Sequence, residues 1–189
     1  TFQLSTASAG LDSGIMYMNQ TFYCNGELTV NKGSELWEHT YHCANGEVHT
    51  LQNMAQALDN SCNLWFIQAA QTLQPTVFYD YIQAFGFTQP TGVDLPSETR
   101  WTSVYNAQQM AEVDTNLYTA AFGQNEAITP MQMATAIAAI ANGGYLVTPY
   151  IVDSITDDAG NIISQTDTSV RRQVISEEVS QEILSMMEN

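Results

Sequence analysis

Positive charge is what this 189-residue chain has least of. Lys32, Arg100, Arg171 and Arg172 stand against 20 Asp and Glu, a formal net charge of -16. Phosphate backbones and anionic head groups are repelled by such a surface at long range, so no nucleic-acid partner and no lipid-surface role is expected. Also lacking is any run approaching the roughly 20 apolar residues that cross a bilayer, and residue 1 is not followed by a basic stretch and an apolar one. Any membrane anchor or export signal is therefore expected outside this chain. There is no internal repeat, no Gly/Ser linker and no block of like charge. With 44% apolar residues, the composition is that of a chain that folds, and the length suits one domain better than two.

Cysteine is scarce too: Cys24, Cys43 and Cys62. Cys24 and Cys43 flank residues with strand and turn character, so bridging them would staple a hairpin, contributing on the order of 3 kcal/mol for a loop of about 20 residues. A disulfide implies an oxidising compartment. A second reading is a zinc site built from Cys24, His39, His42 and Cys43, whose ligand types suit the metal although their spacing matches no standard pattern. A third is free thiols.

Along the chain, small and apolar residues at helical spacing (Leu4, Ala7, Leu11) within 4–16 predict a closely packed helix that ends at Gly14. Residues 20–50 turn short and alternating around Asn25-Gly26, Lys32-Gly33 and Asn45-Gly46 and predict a small β-hairpin insertion. Helices are expected over 51–58 and 64–73, and from a Thr76 cap to Phe85, closed by Gly86. Two prolines and a glycine make 87–100 a loop. Thr129, Pro130 and Gln132 supply cap, first-turn proline and capping box for a helix over 130–141, closed by Gly143 and Gly144. An extended or hairpin segment over 145–165 follows, interrupted by Pro149 and turning at 158–161, and then a C-terminal helix within 176–189 capped by Ser176. Mostly α is the fold class these patterns predict.

Several phrases carry the reading further. TFQLSTASAGLDSGIM opens the chain, SCN stands at 61–63 between two helices, FGFTQPTGVDLPSE spans 85–98, AFGQNEAITPMQMATAIAAIANGG spans 121–144, and Met186 and Met187 end the last helix. In this order and spacing they resemble the transpeptidase domain of class B penicillin-binding proteins over nearly the whole chain. The resemblance implies the helical subdomain of the β-lactamase/transpeptidase-like fold, with the central antiparallel sheet strands largely absent from these 189 residues.

It also implies a chemistry. Acyl transfer at a serine needs a nucleophile, a base, an oxyanion site and a group returning the proton to the leaving amine. The family's Ser-x-x-Lys puts nucleophile and base one helical turn apart. Carried over, Ser61 is the proton relay and Asn63 orients lysine and substrate, while Gln3 stands where the family has its lysine; a carboxamide cannot act as that base. The nucleophile position falls before Thr1, and the Lys-Thr-Gly motif does not occur, Lys32 being the only lysine. These 189 residues are thus expected to be a piece of an active enzyme, inactive alone, or to come from a parent that lost its lysine and serves as a non-catalytic cell-wall scaffold; a penicilloyl-sensor domain is a further alternative. The implied partners are peptidoglycan stem peptides ending in D-Ala-D-Ala, β-lactams, divisome or elongation proteins, and a second copy through an exposed face. The implied location is extracytoplasmic, with no cofactor. A Ser-x-Asn before a helix also serves as a plain cap.

Overall fold

The computed structural model describes residues 2–30, 38–99 and 102–188. The expected Lys32-Gly33 turn, Trp37 and Arg100 lie outside them. The element order is α1 (Phe2–Asp12), β1 (Phe22–Cys24), β2 (Glu27–Val30), β3 (His39–His42), β4 (Thr50–Gln52), α2 (Met54–Asp59), α3 (Asn63–Ala84), α4 (Ala107–Glu112), α5 (Asp114–Phe122), α6 (Pro130–Ala141), β5 (Tyr145–Val147), β6 (Ser154–Thr156), β7 (Ile162–Gln165), β8 (Val170–Gln173) and α7 (Glu177–Met187). A single 3₁₀ turn, Ala44–Gly46, precedes β4.

α1 is the hub. It touches α2, α3, α5, α6 and α7, and nine of its residues, from Phe2 to Leu11, are buried. A helix enclosed on all sides cannot show an apolar stripe, and this one instead carries Ser, Thr, Ala and Gly, which allow backbones to approach. Thr6 Oγ1 donates to the Ala121 carbonyl at 2.8 Å, and Asp12 accepts from the Ser176 backbone N–H and the Tyr81 hydroxyl, both at 2.7 Å. The polar residues of α1 thereby lock α3, α5 and the entry to α7 around it. Trp65 and Phe66, both fully buried at the start of α3, anchor the core below; Trp65 also donates to the Gln52 carbonyl at 3.1 Å and pins β4 to that helix.

The strands form four two-stranded antiparallel ladders: β1 with β4, β2 with β3 between them in sequence, β5 with β8, and β6 with β7. Arg172 on β8 donates through its guanidinium to the carbonyls of Ala84 and Gln83 at 2.7 and 2.9 Å, satisfying the end of α3 with a cation where the helix dipole is negative.

α6 forms where the capping box predicts, with Thr129 and Gln132 making both reciprocal bonds, and Ser176 caps α7. Elsewhere the expectations shift. α1 ends at Asp12, two residues before Gly14. Thr50–Gln52 is a strand, because it pairs with β1, and α2 starts only at the Asn53 capping box. The two helices expected over 64–85 are one stretch broken at Gln74, which has φ 67° and ψ 154°. Pro75, not Thr76, opens the second half: it lacks the N–H that the break would orphan. α4 and α5 are elements the periodicity did not predict.

Candidate active site

The turn between α2 and α3 builds the site. Ser61 N–H donates to the Leu58 carbonyl at 3.1 Å and Cys62 N–H to that of Ala57 at 2.9 Å, the paired bonds of a helix-ending Schellman turn. Such a turn needs a left-handed residue, usually glycine; here it is Ser61, at φ 47°. A non-glycine there costs about 1–2 kcal/mol, so the hydroxyl is held in place against a conformational preference. Asn63 then opens α3. Ser61 does not cap that helix: Cys62 is the N-cap and makes no side-chain cap bond.

Gln3, on the first turn of α1 and 6% exposed, meets both. Ser61 Oγ donates to Gln3 Oε1 at 2.9 Å, and Gln3 Nε2 donates to Asn63 Oδ1 at 3.4 Å. Asn63 Nδ2 in turn donates to the His42 carbonyl at 3.0 Å. Three residues that are 58 and 60 positions apart in sequence form one hydrogen-bonded chain. The carboxamide of Gln3 uses its acceptor towards the serine and its donor towards the asparagine, which orients all three side chains. It does not supply a titratable base.

A cleft of about 430 Å³ opens beside this chain, lined by Gln3, Leu4, Asp59, Ser61, Ile137 and Met186, among others. α7 thus contributes one wall. A larger hollow of about 580 Å³ lies between His39, Tyr41 and Asp114, and none of Gln3, Ser61 and Asn63 lines it. His39 stacks edge-on against Tyr41 at 4.5 Å, and Tyr41 packs on Tyr118 and Phe122, so these aromatics build the core of the hairpin region.

The structure separates the expected zinc ligands. Cys24 and Cys43 lie 3.5 Å apart through their sulfurs, but His39 and His42 are not with them. In their place stand His49, with Nδ1 3.6 Å from Cys24 Sγ, and Cys62, whose sulfur is 3.6 Å from that of Cys43. All three cysteines are thiols; at 3.5 Å the Cys24 and Cys43 sulfurs stand well outside the roughly 2.05 Å of a disulfide. Burial pushes the Cys62 thiol far up. Burial also pushes Cys24 up, but backbone donors at His49 and Gly26 and the neighbouring thiols outweigh it and bring Cys24 down to about 7. Sequence reasoning missed His49 and Cys62 because they are brought in by the β4 pairing and the α2–α3 turn. The available signal was three cysteines and three histidines within residues 24–62.

Comparison with known proteins gives the family and the fold. The family model described as "Penicillin binding protein transpeptidase domain" matches residues 1–189. Stage V sporulation protein D of Bacillus subtilis is 32% identical over 194 residues, covering 100% of this chain and 28% of the relative. Penicillin-binding protein 2B of Streptococcus pneumoniae is 32% identical over 178 residues, covering 84% of the chain and 25% of the relative. Among solved structures, a peptidoglycan synthetase from Bifidobacterium adolescentis superposes with a TM-score of 0.85 at 27% identity, over 99% of this chain and 33% of that one. The D,D-transpeptidase domain of a peptidoglycan glycosyltransferase from Eggerthella lenta does so with a TM-score of 0.83 at 21% identity, over 98% and 46%, which is a likeness of fold. The chain spans less than half the length of each of these proteins.

Proposed function

This chain belongs to the class B penicillin-binding protein family, matching its transpeptidase domain throughout, and from that premise we propose that it is the helical part of a serine D,D-transpeptidase cross-linking peptidoglycan stem peptides outside the cytoplasmic membrane. The observation that carries the reading is the hydrogen-bonded chain of Gln3, Ser61 and Asn63, of which Gln3 and Ser61 line an open cleft. A hydroxyl that both donates and accepts can pass a proton towards a leaving amine, and Ser61 is fixed for this by its turn and by Gln3. Asn63 holds the group at position 3 through Oδ1, while its Nδ2 is taken by the His42 carbonyl. In the longer protein a nucleophilic serine one turn before Gln3 and a Lys-Thr-Gly strand complete the site. Residues 1–189 are then one partial domain, with 20–50 inserted between α1 and α2, and the β-lactams that mimic D-Ala-D-Ala acylate the same serine.

One observation favours a second reading. The carboxamide at position 3 accepts no proton as a base, which fits a parent that binds wall-synthesis partners without turning substrate over. Labelling of the longer protein by a fluorescent penicillin tests the first reading. Ser61→Ala is expected to lower the acylation rate by roughly 10²-fold; an unchanged rate removes Ser61 from the mechanism.

A further inference from the structure

Four donor atoms meet behind the Ser61 turn: the sulfurs of Cys24, Cys43 and Cys62 and a ring nitrogen of His49, all within 4.8 Å of one another. They come from four different places: the end of β1, the residue after β3, the approach to β4 and the start of α3. We propose that Cys24, Cys43, His49 and Cys62 form a structural site for a thiophilic tetrahedral divalent cation, zinc being the best match.

Three thiolates and one imidazole are a structural zinc donor set. Three of the six edges come close to the spacing that a tetrahedral ion imposes, and all six lie within 4.8 Å. Around zinc, Zn–S bonds of about 2.3 Å and a Zn–N bond of about 2.0 Å at tetrahedral angles place sulfurs about 3.8 Å apart and sulfur and nitrogen about 3.5 Å apart. The observed edges are 3.5 Å for Cys24 to Cys43, 3.6 Å for Cys43 to Cys62 and 3.6 Å for Cys24 to His49.

A second, independent feature points the same way. His49 turns Nδ1 to the sulfurs while its Nε2 lies 3.4 Å from Glu47 Oε2. A carboxylate accepting from one ring nitrogen leaves the other as a lone pair for a metal and fixes the ring, the arrangement found behind metal-bound histidines. The ligands are also shielded, with the three cysteines 0–3% exposed, so the metal would hold structure and not water.

Its place gives it a role. Cys62 stands between Ser61 and Asn63, so a metal there ties the Ser61 turn to the β1–β4 and β2–β3 ladders. It would also keep three thiols from oxidising in an extracytoplasmic setting.

The test is metal content and ligand shell, neither of which depends on transpeptidase activity. The protein purified without chelator is expected to carry about one zinc per chain. After exchange it should bind cobalt(II) with thiolate charge-transfer absorption, and X-ray absorption should report three sulfurs and one nitrogen. His49→Ala should lose most of the metal, whereas His39→Ala keeps it. If His49→Ala does not fold, the wild-type ligand shell decides alone. A protein that neither carries zinc nor takes up cobalt, an oxygen-rich shell, undiminished metal in His49→Ala, or a Cys24–Cys43 disulfide mapped in fresh protein overturns the proposal.

Discussion

Glu126, in the connection between α5 and α6, should make this fold less stable as pH rises. Both of its carboxylate oxygens are buried without a hydrogen bond of ordinary geometry. Burial pushes its pKa up to about 8, from an ordinary 4.5, and the backbone at Tyr105 pulls it back only weakly. The folded chain therefore holds this proton more tightly than the unfolded chain. Below about pH 4.5 both states are protonated and Glu126 costs nothing. Between 4.5 and 8 the unfolded state ionises first and stability falls, and above 8 the loss is complete. At about 1.36 kcal/mol per unit the shift corresponds to at most about 5 kcal/mol. Glu126 as a residue is only half-buried, so solvent and local relaxation reduce this to roughly 1–2 kcal/mol. Glu126→Gln is isosteric and neutral at every pH. Thermal melting should show the variant higher than wild type at pH 8 by about 2–8 °C for a domain of this size, with the gap closing near pH 4.5. Equal differences at both pH values, or a variant that melts lower at pH 8, would refute the reasoning.

Two further substitutions probe the elements that hold the cleft. A Cβ at Gly144 would stand 1.9 Å from the Ile175 carbonyl oxygen at a φ of +91°, where α6 ends and the segment entering α7 docks; Gly144→Ala should cost about 3 kcal/mol or more, read as a lowered denaturation midpoint with unchanged m-value. At the left-handed position of Ser61, Ser61→Gly and Ser61→Ala both remove the bond to Gln3, but only glycine relieves the backbone. Ser61→Gly should therefore be more stable than Ser61→Ala by about 1 kcal/mol in urea unfolding, and the reverse order would show the turn to be unstrained.

What was legible in the sequence was what local chemistry decides. Thr129, Pro130 and Gln132 announce α6 because capping is a three-residue affair, and Ser176 announces α7 for the same reason. α4 was equally announced, by the Asn106 and Gln109 capping box, but its six residues hold too little periodicity to register. α1 was legible as a closely packed helix, though not its ends, which α3, α5 and α7 set by packing. The break at Gln74 and the strand at Thr50–Gln52 depend on partners distant in sequence, and short-range patterns misassign both. At the site, Ser61, Asn63 and Gln3 could be named only through the family's phrases; that Gln3 bonds both is a property of α1 lying against the α2–α3 turn. The metal-type cluster was half legible. Nearness in sequence groups Cys24 and Cys43 with His39 and His42, whereas the fold groups them with His49 and Cys62.

The most direct test is the rate at which a protein carrying this chain behind the family's nucleophilic serine is acylated by a labelled penicillin when residue 3 is Gln and after Gln3→Lys. Because the carboxamide at position 3 sits within hydrogen-bond reach of Ser61 and Asn63 but cannot take a proton, Gln3→Lys should raise the second-order rate by roughly 10²-fold or more. Equal rates for the two proteins would contradict the assignment of position 3 to the catalytic base.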